Sequence, residues 1–277
     1  METTATKPSL MDRERKSFYD SHSPNALREA QIYAGQKGFV ATMPQLLQMK
    51  VLAPKSDALW KNWYTTTSEE LVGKSKQGTA HVVLVHNGIF SNPERIETAY
   101  KEDLIRGAGR LNPTEFQDIL EGKLPNGRTL QQVYSFDEFL KNGVPEDVTT
   151  YAVVMDFDKL KKLSSGDQKI TRLYDNPLVI ARAGGEAQAQ AYLDKVKKLF
   201  NRKELGVSHP FNYIVSLDQA QGRLLYVING VWDCKGGLVG YGNLDGDGRY
   251  VGVAPEARDA KKSRSKISLE DVAKELK

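Results

Sequence analysis

Oxygen-bearing side chains alternate in the segment YGNLDGDGRYVGV, residues 241 to 253. Asn243, Asp245 and Asp247 occupy alternate positions and a glycine follows them, as in the first half of a helix-loop-helix calcium loop. The pattern then fails, because Ala254 stands where that loop requires a bidentate glutamate and both flanks are typical of strands. Asp-Gly pairs also suit a tight turn, since both residues accept left-handed backbone. We favour the turn and keep a Ca²⁺ site as the alternative.

A second pair of carboxylates follows a predicted strand in VVMDFDKL. Asp156 and Asp158 would stand at the carboxyl end of that strand, where open α/β sheets place their ligands. Two such acids can share a divalent cation such as Mg²⁺ that is bound to phosphate. The simpler interpretation is that Asp158 caps the following helix while Asp156 pairs with a nearby base, and we favour it.

A third candidate is the glycine pair Gly184 and Gly185 in ARAGGEAQAQ, which we predict to join a strand to a helix. Exposed backbone amides at a helix N-terminus bind anions, and Arg182 would add a positive charge there. The segment contains neither a dinucleotide-binding pattern nor a P-loop. A tight turn between the two elements explains the glycines equally, and we favour that interpretation.

The segment VHNGIFSNPER places His86, Asn87 and Gly88 directly after a buried strand. It resembles the HNG segment of class II glutamine amidotransferases, and this resemblance implies that Asn87 and Gly88 form an oxyanion hole. The resemblance is confined to this short stretch. That family uses an N-terminal cysteine as its nucleophile, whereas this chain begins Met-Glu-Thr-Thr, so we do not assign it to the family. His86 remains a candidate general base, with a satisfied turn histidine as the alternative.

These candidates share one structural expectation. If the order of the strands brings Asp156, Asp158, His86, Asn87 and the glycine pair together, the resulting acidic site would suit hydrolysis or phosphoryl chemistry. Catalytic groups must share one hydrogen-bonded cluster, so a separation of more than about 15 Å between Asp156 and His86 would exclude this arrangement.

The net charge of +4 comes from 39 basic and 35 acidic residues. Residues 258 to 266, RDAKKSRSK, contain five basic residues and one acidic residue, and five minus one equals the whole excess. A basic arm of this kind can contact nucleic-acid phosphates, with Lys261, Lys262, Arg264 and Lys266 as the candidate contacts. The rest of the chain is neutral in sum, which argues against a nucleic-acid groove in the body. A solvated tail is the alternative that we favour.

Cysteine usage and hydropathy indicate the compartment. Cys234 is the one cysteine, so an intramolecular disulfide is excluded and a thiolate zinc cluster is too. The N-terminal segment lacks the apolar stretch of a signal peptide, and no apolar run approaches the roughly 18 residues of a membrane span. We therefore expect a soluble, cytoplasmic protein that does not bind membranes.

Hydrophobic periodicity predicts the elements that must position these residues. Apolar runs predict strands at 81 to 85, 149 to 157 and 176 to 183. The best helix is expected from Glu186 to about Arg202, where apolar residues recur at helical spacing. Thr66 with Glu69 has the spacing of a capping box and predicts an early helix. From about residue 211 onward, short strands alternate with glycine-rich turns.

This order of elements predicts an α+β fold with a mostly antiparallel sheet, a C-terminal β-meander, and helices packed on one face. We expect a mobile N-terminal arm over 1–22, one globular domain over 23–254, and a basic segment with a short terminal helix over 255–277.

Three functions remain open at this point. Glycine-rich strands and few catalytic residue types favour a non-enzymatic structural, assembly or interaction role with self-association. The alternatives are a hydrolase or phosphoryl-transfer enzyme with an acidic divalent-cation site, and a nucleic-acid-associated protein that acts through residues 258 to 266. A divalent cation, Ca²⁺ or Mg²⁺, is compatible with the sequence but is not required by it.

Overall fold

The computed structural model describes residue 10 and residues 13–209, 216–228 and 237–255, without the side chains of residues 126 and 241. The strands are β1 (Arg15–Asp20), β2 (Phe39–Val40), β3 (Tyr64–Lys74), β4 (Ala80–His86), β5 (Gly109–Arg110), β6 (Gln132–Ser135), β7 (Tyr151–Asp156), β8 (Gly166–Lys169), β9 (Glu204–Ser208), β10 (Gln221–Ile228), β11 (Gly237–Gly242) and β12 (Gly248–Val253). The helices are α1 (Ser23–Ala34), α2 (Met43–Leu52), α3 (Pro93–Lys101), α4 (Pro113–Leu120), α5 (Phe136–Asn142), α6 (Phe157–Leu160), α7 (Ile170–Leu173), α8 (Pro177–Ala183) and α9 (Glu186–Phe200).

Most strands belong to one large mixed sheet in the order β6-β7-β4-β3-β10-β11-β9-β8, with the short β5 paired to β10. The pairs β6–β7 and β9–β11 are parallel and the remaining neighbours are antiparallel. A second sheet of three antiparallel strands has the order β1-β12-β2. The predicted α+β class and the mostly antiparallel sheet are therefore confirmed.

The central strands of the large sheet are buried on both faces. Along β4, Val82 and Leu84 point into a core cluster shared with α2, α8 and α9, whereas Val83 and Val85 point into a cluster shared with α1, α3 and α4. Successive side chains of a strand alternate between faces, so one apolar run supplies both cores. The prediction that helices cover one face is wrong, because helices contact both.

Two predicted elements have the opposite secondary structure. The apolar run predicted as a strand at 176 to 183 is instead α8, which begins where Asn176 Oδ1 accepts hydrogen bonds from the amides of Leu178 and Val179. The helix predicted from Thr66 and Glu69 is part of β3. A short buried helix and a buried strand are both apolar on every side, so periodicity does not distinguish them.

The chain ends also differ from the expectation. Residues 15 to 20 of the predicted N-terminal arm form β1, which pairs with β12 along its whole length. β10 and β11 are antiparallel neighbours, as expected for a meander, but β12 leaves the large sheet and pairs with β1 and β2. The limits of the single domain, 23–254, remain a prediction.

Candidate functional site

The register of β4 and β7 decides whether the predicted catalytic groups meet. Asp156 lies opposite His81, and His86 lies opposite Tyr151. His81 and His86 are five residues apart on one strand, so at about 3.4 Å per residue Asp156 and His86 are separated by roughly 17 Å. The expected convergence of His86, Asp156 and Asp158 in one catalytic site is therefore wrong.

His86 is a buried structural residue in this fold. Its Nδ1 lies 2.6 Å from the hydroxyl of Ser68, and its ring packs on Tyr151 with 4.6 Å between the ring centroids. Burial lowers the pKa of His86 to about 3, because the charged ring would lose its hydration, while the backbone carbonyl of Ala181 opposes this shift. A neutral, enclosed imidazole does not meet substrate, so His86 does not act as a general base for an external group.

Asp156 and Asp158 have local structural roles. Asp156 accepts a hydrogen bond of 3.0 Å from the amide of Lys159 and so caps the N-terminus of α6. Asp158 is exposed and forms an ion pair with Lys161, which lowers the pKa of Asp158. These contacts account for both carboxylates without a divalent cation.

Arg182 is not placed to bind an external anion. Its side chain is completely buried, and its Nε and Nη2 donate to Glu70 Oε2 over 3.1 and 2.7 Å. It also donates to the carbonyls of Leu238 and Ser208 and so ties α8 to β11 and β9. The predicted anion contact of Arg182 is wrong, because its donors serve this internal network.

Gly184 and Gly185 join α8 to α9 instead of joining a strand to a helix. Their φ angles of 86° and 140° are conformations that glycine tolerates and other residues rarely adopt. The glycine pair is therefore explained by the sharp turn between the two helices.

The loop from Asn243 to Asp247 carries the chain from the large sheet to the small one. Leu244 is completely buried among residues of α1, α3 and α4, and its amide donates to the carbonyl of Gly107 over 2.9 Å. The hydroxyl of Tyr100 donates to the carbonyl of Leu244. The loop contains the tight turn that we favoured, at Leu244 and Asp245, and it is a crossover between the two sheets fixed by its own leucine. The calcium loop does not describe it.

The donor set of this loop does not fit a calcium ion. The side-chain oxygen of Asn243 already accepts a hydrogen bond of 2.8 Å from the guanidinium of Arg223, whose positive charge repels a cation. Asp247 accepts from the hydroxyl of Tyr19 over 3.3 Å, and Asp245 is exposed. Across the described part of the chain, no group of three or more His, Cys, Asp or Glu side chains could hold a metal ion.

A partly exposed aromatic cluster is the first surface feature that sequence reasoning missed. Its members are Tyr19, Trp63, Tyr226 and Arg249, and we call it the aromatic–arginine surface. The rings of Tyr19 and Trp63 lie 6.2 Å apart and those of Trp63 and Tyr226 lie 6.0 Å apart, both edge to face. The guanidinium of Arg249 lies over the rings of Tyr19 and Trp63 at 4.8 and 5.5 Å. Tyr19 keeps 52% of its surface exposed.

The sequence does not show that these four side chains meet, because they come from distant parts of the chain. Tyr19 lies on β1, Trp63 precedes β3, Tyr226 lies on β10 and Arg249 lies on β12. The pairing of β1 with β12, which places Tyr19 opposite Arg249, is the tertiary contact that creates it.

The second feature is a cleft of about 570 Å³ between the end of α1, β2 and the loops after β4 and α4, which we call the polar cleft. Asn87 lines it together with Gln31, Thr67, Arg128, Thr129 and Thr150. Asn87 is thus the one member of the predicted anion-binding set that borders this cleft.

Several predicted residues lie outside the described residues. They are the candidate nucleic-acid contacts Lys261, Lys262, Arg264 and Lys266, together with Cys234. In the described ranges, each helix is too short or too polar to traverse a lipid bilayer.

The chain matches no protein-family model and no curated protein. It is similar to a solved structure described as "Accommodation of massive sequence variation in Nanoarchaeota by the C-type lectin fold". The two share 32% sequence identity with a TM-score of 0.70, and the match covers 88% of this chain and 100% of the other. At this identity over the whole of that chain, our protein belongs to the same family, whose fold is the C-type lectin fold.

Proposed function

We propose that this chain is a non-enzymatic recognition protein that binds another protein through the aromatic–arginine surface. The observation that carries the proposal is the position of the Arg249 guanidinium over the rings of Tyr19 and Trp63 at a half-exposed site. Tyrosine, tryptophan and arginine are the residue types that dominate the binding energy of protein interfaces.

The surface is organised before a partner arrives. Edge-to-face ring contacts hold Tyr19 and Tyr226 against Trp63, and the backbone amide of Arg249 donates to the hydroxyl of Thr65 over 3.2 Å. Side chains that are already ordered lose little conformational entropy when they bind. The Nε atom of Arg249 is buried and has no hydrogen-bond partner among the described residues, so contact with a partner would fall to the rest of its guanidinium.

The separation of this surface from the core supports a recognition role. None of its four side chains belongs to either buried cluster. Substitutions at these positions therefore change the surface while the packing that stabilises the fold is kept. The similar protein is described in terms of massive sequence variation within the C-type lectin fold, and a binding surface that is independent of the core accommodates such variation.

A selection experiment tests the proposal with binders drawn from random sequences. Binders are selected from a yeast-displayed random-sequence library on the purified wild-type chain. Each clone is then measured on Tyr19→Ala, on Arg249→Ala and on the control Leu52→Ala, whose leucine is 49% exposed. Loss of a hot-spot side chain costs about 2 kcal/mol or more, so most clones should bind the two surface variants about thirtyfold more weakly.

The control defines the contradicting result. Leu52→Ala should retain wild-type affinity, because Leu52 has a comparable exposed fraction but belongs to α2. If most selected clones bind all three variants equally, the recognition surface lies elsewhere and the proposal is wrong.

Self-association is the form of this proposal in which the partner is a second copy of the chain. Sedimentation velocity over a range of concentrations distinguishes this case. A dimer that dissociates in Arg249→Ala but persists in Leu52→Ala would identify the aromatic–arginine surface as the contact between copies, and a strict monomer would leave a different protein as the partner.

The basic segment supports a second candidate function. Residues 258 to 266 contain the whole excess of positive charge, so nucleic-acid binding through this arm remains a proposal. Binding should fall steeply with salt and should be lost after truncation at Pro255. Undiminished binding by the truncated chain would exclude the arm.

A further inference from the structure

We propose that the polar cleft is a binding site for a small organic carboxylate, with Arg128 as its ionic anchor. Asn87, Thr129 and Thr150 would supply neutral hydrogen-bond donors. The site is separate from the aromatic–arginine surface and does not depend on the function proposed above. Its volume of about 570 Å³ is within the range of small-molecule sites in proteins.

The charge of the lining favours an anion. Arg128 is the ionisable residue among the side chains that line the cleft, and no carboxylate is among them. The walls are otherwise formed by glycine, apolar residues, hydroxyls and amides. Arg128 therefore gives the cleft a positive charge that a ligand with one negative charge would balance.

Arg128 is fixed at the cleft by its own hydrogen bonds. One of its terminal nitrogens donates to the carbonyl of Gly88 over 2.8 Å, and the other lies 3.4 Å from the hydroxyl of Ser91. A guanidinium has five N–H donors, so donors including Nε–H remain for a ligand. The planar fork of these donors matches the geometry of a carboxylate.

Asn87 is held in place by hydrogen bonds of its backbone and of its side chain. Its backbone has a φ of 59°, its amide nitrogen donates to the carbonyl of Thr67, and its Oδ1 accepts from the hydroxyl of Thr67 over 2.7 Å. Its Nδ2 donates to the carbonyl of Thr149 over 3.2 Å, which leaves the second Nδ2 hydrogen for a ligand. Asparagine tolerates this left-handed backbone, and the hydrogen bonds fix its side chain at the edge of the cleft.

The hydroxyls of Thr129 and Thr150 add to this set of donors. Thr129 is exposed, Thr150 is partly exposed, and both line the cleft. Hydroxyls next to a guanidinium and an amide donor complement the oxygen atoms of a small acid.

The surrounding backbone favours a carboxylate over a phosphate. Phosphate sites commonly use free backbone amides at the start of a helix. Here the amides of Ile89 and Phe90, which begin the 3₁₀ helix next to the cleft, donate to the buried carboxylate of Glu69 over 2.8 and 2.7 Å. These amides are therefore occupied, and one guanidinium balances a monoanion better than a dianion.

The experiment is an NMR titration of the full chain with three probes. N-acetylglycine carries the carboxylate, N-acetylglycinamide is its neutral isostere, and inorganic phosphate is the competing anion. N-acetylglycine should produce saturable shifts of the backbone amides of Asn87, Arg128 and Thr129, and the neutral isostere should not. Phosphate should bind more weakly than N-acetylglycine.

Matched variants complete the test. Arg128→Gln removes an exposed guanidinium and should weaken N-acetylglycine binding about tenfold or more. Arg110→Gln is the control, because Arg110 is also exposed and also donates to a backbone carbonyl, that of Asp103, but it does not line the cleft. Asn87→Asp keeps a residue that tolerates left-handed backbone and should abolish binding by charge repulsion.

Four results would overturn the proposal. The first is the absence of saturable shifts at the cleft up to about 20 mM N-acetylglycine, a concentration at which a useful anchor should give measurable occupancy. The second is equal binding of the neutral isostere. The third is unchanged affinity in Arg128→Gln, and the fourth is an equal loss of affinity in Arg128→Gln and Arg110→Gln. Tighter binding of phosphate would overturn the assignment of the ligand as a carboxylate.

Discussion

The buried carboxylate of Glu69 should make the stability of this protein depend on pH in a specific way. Glu69 is completely buried and its partners are the backbone amides of Ile89 and Phe90. Burial raises the pKa of Glu69 from 4.5 to about 7, although these hydrogen bonds and the charges of Arg128 and Arg95 oppose the shift. The folded protein therefore holds a proton on Glu69 that the unfolded chain releases at lower pH.

The sign and the magnitude follow from this difference in pKa. A carboxyl group with a raised folded-state pKa contributes stability below its unfolded pKa, and this contribution is lost as the pH rises through the folded pKa. The shift from 4.5 to about 7 is about 2.5 pKa units, and each unit corresponds to about 1.4 kcal/mol. Between pH 4.5 and about 8, Glu69 should therefore lower the free energy of unfolding by about 3 kcal/mol.

Two variants isolate this contribution in urea unfolding at a series of pH values. Glu69→Gln and Glu69→Met both remove the titrating group, so the wild type should lose about 3 kcal/mol relative to each variant over this range. Glutamine keeps an acceptor oxygen for one backbone amide, whereas methionine keeps none. Glu69→Met should therefore be less stable than Glu69→Gln by about 1 to 3 kcal/mol at every pH.

Parallel stability curves for the wild type and both variants would refute this reasoning. They would mean that Glu69 has the same pKa in the folded and unfolded protein. A wild type that gains stability relative to both variants as the pH rises would show that the amides of Ile89 and Phe90 outweigh the desolvation of the carboxylate.

Three further variants test other parts of the structure. Arg182→Leu should lower the free energy of unfolding by about 3 to 5 kcal/mol, because it leaves the buried Glu70 unpaired. Adding Glu70→Leu should recover part of this loss in urea unfolding. A double variant whose loss of stability equals the sum of the losses of the two single variants would contradict the pairing. Gly88→Ala should cost about 1 to 3 kcal/mol, because the new Cβ would overlap the carboxylate of Glu69, and an unchanged melting temperature would argue against that contact. Asp245→Asn should leave the effect of Ca²⁺ on the melting temperature unchanged, because the guanidinium of Arg223 already occupies the side-chain oxygen of Asn243 in the same loop. A Ca²⁺-specific rise in the melting temperature that the variant loses would support the calcium site.

Helix starts depend mainly on local sequence. Thr42, Asn112 and Ser135 each cap a helix with a side-chain oxygen, which is the role that these residue types favour. The helix expected from Glu186 begins at that residue and ends at Phe200. Capping and helical periodicity depend on atoms a few residues apart, so these features are encoded locally.

Elements whose environment is set by distant residues were predicted poorly. β3 carries the completely buried Glu69 and Glu70 next to each other in a strand that is buried up to its last residue, which no local rule favours. Backbone amides of the 3₁₀ helix hold the first carboxylate, and Arg182 holds the second, 112 positions further along the chain. The spacing of Thr66 and Glu69 matches a helix cap. The sequence does not show the distant partners that instead hold Glu69 in a buried strand.

The candidate sites show the same division. Asn87 was singled out from the sequence because it follows a buried strand, and the structure places it at the polar cleft. The donor that completes the cleft, Arg128, had no sequence signal, and nothing in the sequence indicated that the members of the aromatic–arginine surface meet. An exposed arginine or tyrosine is common in any chain, and its neighbours across the fold decide whether it forms a site.

The sequence alone determined the α+β class, the central strands β4 and β7 and the helix from Glu186, because these follow from apolar runs and apolar spacing within short segments. The tertiary structure decided which face each strand presents to which helices, which carboxylates are internal, and where Tyr19 meets Arg249. Strand pairing sets each of these three features. It depends on contacts between segments that are far apart in the chain, and a local sequence pattern does not show the free energies of those contacts.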